Sequence, residues 1–294
     1  MTAARRINKT VELLAQGQPI YYVGVEDRGY AGGKAAAQTW ADYITYEMEH
    51  GPFDVSRLLD FMRGLVDGGP TPSGHRTPAV IVTLPATGAD EQSFRANSWM
   101  VSQVLATGVH GILLCHAESP GAVQAFVEST RYPFVTVGLD RGLDVGRRGS
   151  GGQAQAAAIW GLEVGEYLRR ADPWPLNPDG ELLLGLKIEN VRALGTAEAT
   201  TAVPGIAFAE WGPGDMGMSL GFPDAHDPPY PPAMLAARER VLAHCKSNKL
   251  AFLEMVTPEN VLEQIAAGVM IGAGKQAAAA ASIGRRHTQR PEPW

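Results

Sequence analysis

Apolar residues recur along this chain in short runs, and between the runs apolar positions fall at helical spacing, so strands and helices are expected to alternate. The strands read as Ile20 to Val25 (IYYVGV), Asp42 to Glu49 (DYITYEME), Ala79 to Leu84 (AVIVTL), Gly111 to Cys115 (GILLC), Leu182 to Asn190 (LLLGLKIEN), Gly205 to Met216 (GIAFAEWGPGDM), Leu250 to Met255 (LAFLEM) and Val269 to Ile271. Helical spacing covers Val55 to Val66, Glu91 to Thr107, Pro120 to Thr130, Ala154 to about Arg170, Ala193 to Thr201, Met234 to Lys246 and Pro258 to Ala267. A short amphipathic helix from Asn8 to Gln16, stopped by Gly17, precedes the first strand. The economical fold is a single α/β domain over 1–294, a (β/α)8 TIM barrel, with 1–19 as an N-terminal helix and 284–294 as a tail.

Two segments do not fit the alternation. Phe134 to Gly138 offers one strand too many for eight places; it is short, lies within the irregular stretch from Tyr132 to Asp179, and is set aside. That stretch, with its polar run DRGLDVGRRGSGGQ, is a long excursion after strand four, whose arginines and glycines suit an anionic substrate, a mobile lid or an interface. The Pro-rich segment from Gly221 to Pro232 is expected to form a surface loop over the catalytic face. The segment from Arg285 to Trp294 is expected to contact a neighbouring subunit or to be disordered.

Composition narrows the function. A formal net charge of −6 and a pI near 5.7 argue against a nucleic-acid partner. Cys115 and Cys245, the only cysteines, lie in apolar or helical patterns, which fits a reducing compartment and not a disulfide framework. The N-terminus lacks an apolar signal core and no apolar run approaches the length of a membrane span, so a cytoplasmic protein is expected. Two glycine motifs fail on context. Gly29 to Lys34 is one residue short of a phosphate loop, and Gly272 to Ala277 comes too late in the chain for a dinucleotide fold. The latter turn retains the chance of binding a carboxylate or phosphate at a helix start.

In a barrel of this kind the reacting groups sit at the carboxyl ends of the strands. Leu182 to Asn190 and Gly205 to Met216 each turn acidic at that end, so Glu189 and Asp215 can converge, and such a pair suits Mg²⁺ or Mn²⁺. The plain alternative is a helix-capping acid and a turn residue. Period two places Glu47 and Glu49 on one face of the second strand, and His50 follows at its end, either as an acid–base group or as an exposed loop histidine. His116 and Glu118 directly follow the fourth strand; Glu118 equally suits the start of the next helix.

With those residues in place, the chain resembles the metal-dependent 2-oxo-acid aldolases of the HpcH/HpaI family, which includes macrophomate synthase. The likeness rests on Glu47-Met48-Glu49-His50-Gly51-Pro52 for the family's acidic-His turn, Lys187-Ile188-Glu189 for its Gln-Ile-Glu strand end, and Gly212-Pro213-Gly214-Asp215-Met216 for its Gly-Pro-x-Asp-Leu loop. It implies a barrel in which Glu189 and Asp215 bind a divalent metal (Mg²⁺ or Mn²⁺, with Co²⁺ and Zn²⁺ as further candidates) and His50 handles the proton. It also implies a homo-oligomer, hexamer or trimer, that exchanges a C-terminal helix between subunits.

Three departures bear on the chemistry. Thr83 stands where the family has a substrate-binding arginine, Ala106 where it has the aspartate partner of the histidine, and Lys187 where it has glutamine. Lys187 and Glu189 face the same way on their strand, about 7 Å apart along it. Lys187 or His116 is therefore a candidate for the missing positive charge at the enolate oxygen or substrate carboxylate. Alternatively, Lys187 only neutralises buried acids such as Glu189, or it is a Schiff-base lysine of lowered pKa. The residues expected to face substrate are Glu49, Thr83, His116, Gly212, Pro213 and Gly214, with His50 and Lys187 catalytic. The expected function is a carbon–carbon lyase acting on a 2-oxo acid, with an aldehyde as second substrate and a metal-stabilised enolate as intermediate. The alternatives are decarboxylation or cyclisation on the same site, and a non-catalytic relative. Specificity is expected in the loops from Arg141 to Gln153 and from Gly221 to Pro232.

Overall fold

The computed structural model describes residues 6–294, and its centre is a closed barrel of eight parallel strands. The strands are β1 (Ile20–Gly24), β2 (Tyr43–Glu47), β3 (Ala79–Thr87), β4 (Gly111–Cys115), β5 (Leu182–Lys187), β6 (Phe208–Glu210), β7 (Ala251–Met255) and β8 (Val269–Ala273). Neighbours in sequence pair in order, β8 pairs with β1 through Ile20↔Ile271, and β4 closes onto β5 from Gly111↔Leu183 to Leu114↔Leu186. A two-residue bridge, Pro173–Trp174, extends the sheet beside β5. Phe134 to Gly138 is not a strand, as expected; Phe134 is exposed.

Alternation along the strands makes two cores. Ile20, Tyr43, Ile81, Leu113, Leu183, Phe208, Leu253 and Ile271 fill the barrel, while the opposite faces pack under the helices. Gly185 makes room for this filling, because a Cβ there would stand 2.2 Å from the Phe208 ring. Among the described residues no helix is long and apolar enough to cross a membrane.

Several helices differ from expectation for local reasons. The helix expected from Glu91 to Thr107 is two, Glu91–Asn97 and Trp99–Leu105, meeting at Ser98. The Ala-rich helix divides into Gln153–Trp160 and Val164–Arg170 because Gly161 adopts a left-handed φ of 71°. Glycine-rich Tyr30–Ala36 is a helix, and so is Pro213–Leu220, which the sequence pattern had attached to a strand.

The end of the barrel where the strands begin is held by charge. Asn8 caps helix Lys9–Ala15, accepts a hydrogen bond from Thr10 N, and donates through its side chain to His110 O and Glu181 O. Asp42, just before β2, is surrounded by Lys9, Arg285 and Arg290, all buried. The segment from Arg285 onward therefore packs on its own barrel, behind the helix Ala277–His287 that fills the eighth helical place.

The long excursion belongs to this same end and does not line the mouth, which speaks against its anionic-substrate and lid readings and against the specificity expected from Arg141 to Gln153, but not against an interface. Arg148 is buried between the Tyr132 and Tyr167 rings, Trp160 Nε1 donates to Gly108 O, and Arg131 is bonded to Asp172. Gln155 donates to Ala106 O at the close of helix Trp99–Leu105. The physical reason is directional: the excursion follows helix Pro120–Thr130, not a strand, and that helix has already carried the chain back to the strands' starting end.

Candidate active site

At the opposite end the inward positions change from apolar to ionisable. The register pairs Lys187 with Glu210 and Glu47 with Thr83, and Tyr22 lies near enough to feel the charges of Glu210, Lys187 and Glu47. At this end lies a cavity of about 480 Å³ whose wall includes His50, Lys187, Glu189, Glu210, Gly212 and Asp215. The structure thus brings Glu189 and Asp215 to one cavity at one end of the barrel.

Lys187 is the centre of the cluster. Its Nζ lies 2.6 Å from Glu49 Oε2, 2.8 Å from Glu189 Oε2 and 4.0 Å from Glu210 Oε1. Burial disfavours its charge, but Glu210 and Glu189 outweigh that and hold its pKa above the ordinary lysine value. In the chain by itself, acids and not a cation stand beside the amine and its pKa is not lowered, which speaks against the Schiff-base expectation. Neutralisation of buried acids is the part Lys187 visibly plays.

The acids respond differently. Burial pushes Glu49 up, but its hydrogen bond and ion pair with Lys187 prevail and lower its pKa. Burial raises Glu189, with Lys187 opposing and Glu49 adding to the rise. Burial also pushes Glu210 up to about 7, with Lys187 opposing and Glu189, Glu49 and Glu47 adding. Because folded Glu210 keeps a proton that the unfolded chain has lost, stability falls as pH rises from the ordinary glutamate range to about 7 and levels above it. Glu210→Gln is expected to flatten that decline, read as Tm against pH between about 4 and about 8.

His116 takes a left-handed φ of 47°, a strained conformation for a residue with a side chain. The bend points its amide at Glu189, donating to Oε1 at 2.9 Å, and sets its ring between two acids, Nδ1 3.3 Å from Glu189 Oε1 and Nε2 3.6 Å from Glu49 Oε1. His50 is exposed at the rim, with Nε2 3.5 Å from Glu49 Oε2. Ala106, by contrast, lies at the far end of the barrel, so within one chain the carboxylate beside the His50 ring is that of Glu49, while Glu47 accepts from the His50 amide at 3.1 Å. Glu118 is tied to Arg192 at 2.7 Å and to Asn190 at 2.9 Å, just ahead of the Ser119 cap, which favours its plain structural reading.

Thr83 is buried inside β3, which runs on to Thr87, and it is not among the residues lining the cavity. Gly212, Pro213 and Gly214 do line it, and Asp215 occupies the first turn of helix Pro213–Leu220, whose amino end faces the cavity. Gly212 has φ 49°, and a Cβ there would stand 2.5 Å from Glu189 Cβ. Gly212→Ala is expected to cost about 1–3 kcal/mol of stability in a denaturant titration and to push Glu189 out of place.

Two residues of the cluster escaped the sequence reading. Glu210 is the inward neighbour of Lys187, recoverable from the alternation that starts at Phe208. Cys115 ends an apolar run, yet among the described residues Glu49, Cys115 and Glu189 form the group whose ligand-capable atoms lie within 4.8 Å of one another. Asp215 lies outside that group. Burial raises the Cys115 thiol well above its ordinary pKa, so it is no ready nucleophile.

A second cavity of about 710 Å³ adjoins the first and shares His226, Glu254, Met255 and Gly274 with it. Its wall adds Thr257, Asn260, Gln264 and Gln276, while Arg238 is held by Glu254 at 2.5 Å. The loop from Gly221 to Pro232 supplies His226, Asp227 and Tyr230, so this one of the two expected specificity loops does reach the mouth.

Comparison with known proteins adds to this geometry. A sequence profile described as HpcH/HpaI aldolase/citrate lyase matches residues 33–278, a stretch containing every residue of the cluster. A hydroxypyruvate/pyruvate aldolase of Paraburkholderia phytofirmans is 25% identical over 208 residues, 71% of this chain and 68% of that protein. A 2-keto-3-deoxy-L-rhamnonate aldolase of Klebsiella pneumoniae is 27% identical over 189 residues, 64% of this chain and 58% of that protein, less than two thirds of its length. An HpcH/HpaI aldolase/citrate lyase family protein from Burkholderia cenocepacia J2315 has the same fold, with a TM-score of 0.71 at 22% identity over 96% of this chain and 98% of that one.

Proposed function

The chain belongs to the HpcH/HpaI aldolase/citrate lyase family, and on that premise we propose that it is a divalent-metal-dependent lyase of the class II aldolase type, making or breaking a carbon–carbon bond beside a 2-oxo acid. The observation that carries this reading is an excess of acid at the barrel mouth: Glu49, Glu189 and Glu210 all stand around the Lys187 ammonium, and Glu49 Oε1 is buried without a hydrogen bond. Buried acids in excess of their donors are suited to a cation. Glu189 and Asp215 would hold it, with Glu49 close by. A set of hard oxygens favours Mg²⁺ or Mn²⁺, and the nearby Cys115 keeps Co²⁺ and Zn²⁺ as candidates. When bound, such an ion supplies Lewis-acid stabilisation of enolate charge.

The protein's own groups do the rest. The free amides at the start of helix Pro213–Leu220 face the cavity and suit a substrate carboxylate. His50, exposed at the rim and oriented by Glu49, is placed to move a proton at the hydroxyl that becomes, or comes from, the aldehyde. Trp211, buried and bonded to Glu254 at 3.1 Å, fixes one wall. The names of the two curated relatives all refer to 2-oxo acids, which supports that substrate class. A homo-oligomer and a cytoplasmic setting complete the reading; two buried free cysteines are in keeping with the latter.

Assays of pyruvate with a panel of aldehydes, and of oxaloacetate alone, test it. Aldol product that disappears on chelation and returns with Mg²⁺ or Mn²⁺ is expected. Carbon dioxide without aldol product would reassign the reaction to decarboxylation. No bound metal and no turnover of any 2-oxo acid would overturn the reading.

A further inference from the structure

Among the acids of the mouth, the ammonium of Lys187 already holds the place of a cation. It touches one oxygen each of Glu49 and Glu189, at 2.6 and 2.8 Å, and both contacts lie in a buried setting where charge attraction is weakly screened. Glu189 Oε2 is the atom that the ammonium approaches, and it has no other hydrogen-bond donor among the described residues. A divalent ion bound to that carboxylate at about 2 Å would meet the ammonium head-on. The two cannot share Glu189 without strong repulsion.

Among the described residues the lysine has one further acid within 4.0 Å. Glu210 is its register partner on β6, with Oε1 4.0 Å from Nζ, and both residues line the open cavity that gives the side chain room to turn. Glu49 and Glu189, in contrast, are fixed from behind by His116, through its ring and its backbone amide. The mobile partner in this cluster is therefore the lysine and not the acids.

We infer that Lys187 is a built-in counter-ion that competes with the divalent metal for Glu49 and Glu189, and that metal loading transfers its ammonium to Glu210. This rests on the metal site proposed above. The exchange makes loading a replacement of one cation by another at Glu49 and Glu189. The cost is a weaker affinity for the ion than the number of acids would give.

Calorimetric titration with Mn²⁺ tests the inference independently of turnover. Lys187→Met is expected to bind Mn²⁺ about tenfold or more tightly than the wild type, and Lys187→Arg, which keeps the charge, within about threefold of it. Glu210→Gln is expected to weaken binding in the wild-type background and to have no effect in the Lys187→Met background, because its influence runs through the lysine. Lys187→Gln provides the same test if the methionine variant does not fold, as judged by circular dichroism. Equal or weaker binding by both neutral variants would overturn the competition, and an equal Glu210→Gln effect in both backgrounds would overturn the transfer. Absence of Mn²⁺ binding in every protein, wild type included, would instead remove the metal site on which the proposal stands.

Discussion

Glu189→Gln is expected to lower kcat/KM for the 2-oxo-acid reaction by about 10³-fold, the scale of losing a group that stabilises charge in the transition state. The change keeps the shape of the side chain, so the fold and the His116 amide contact have little reason to alter. What it removes is charge at a fully buried position. It also sets amide hydrogens or an uncharged oxygen against the Lys187 ammonium, 2.8 Å from Oε2. Steady-state kinetics together with Mn²⁺ titration of the same variant check the result. Activity within a few-fold of the wild type, with metal still bound, would show that Glu189 is structural.

The largest effect on stability is expected at the other end of the barrel. Asp42→Asn should cost about 3–5 kcal/mol, because removing one partner of a buried ion cluster leaves the others uncompensated. Asp42 Oδ1 lies 3.1 Å from Lys9, 3.1 Å from Arg285 and 2.8 Å from Arg290, while Oδ2 accepts the Tyr21 amide at 2.9 Å. Burial alone would raise its pKa, but Arg290, Arg285 and Lys9 together hold it below the ordinary aspartate value. A carboxylate of lowered folded pKa contributes stability that is complete above the unfolded value and is lost as pH falls towards the folded one. The wild type should therefore lose stability in acid in part through Asp42, and the variant should show less of that loss. Urea titrations of both proteins at neutral and acid pH measure the two effects, and a difference under about 1 kcal/mol at neutral pH would exclude the cluster as a clamp.

The barrel was legible in the chain because its strands are short apolar runs whose inner faces fill a closed core, a pattern that survives without knowledge of contacts. The boundary of β6 was not, since Gly212 with its left-handed φ starts a helix where the apolar pattern suggested strand, and Asp215 therefore rides on a helix. Glu189, Asp215 and His50 could be placed at the mouth from strand ends alone. Of the partners of Lys187, Glu189 was legible from the shared face of one strand end, but Glu49 and Glu210 come from separate stretches that only the register brings together. The excursion was misplaced for a simpler reason. Its polarity and glycines resemble a binding loop, but helix Pro120–Thr130 ends at the pole opposite the chemistry.

The common wall of the two cavities, at His226, Glu254, Met255 and Gly274, has a practical outcome for ligand design. Two weak fragments, a keto-carboxylate for the inner chamber and a hydroxylated chain for the outer, could be joined by a short tether across that partition. The second contact would then form at a high effective concentration, and the joined compound should bind far better than either piece alone.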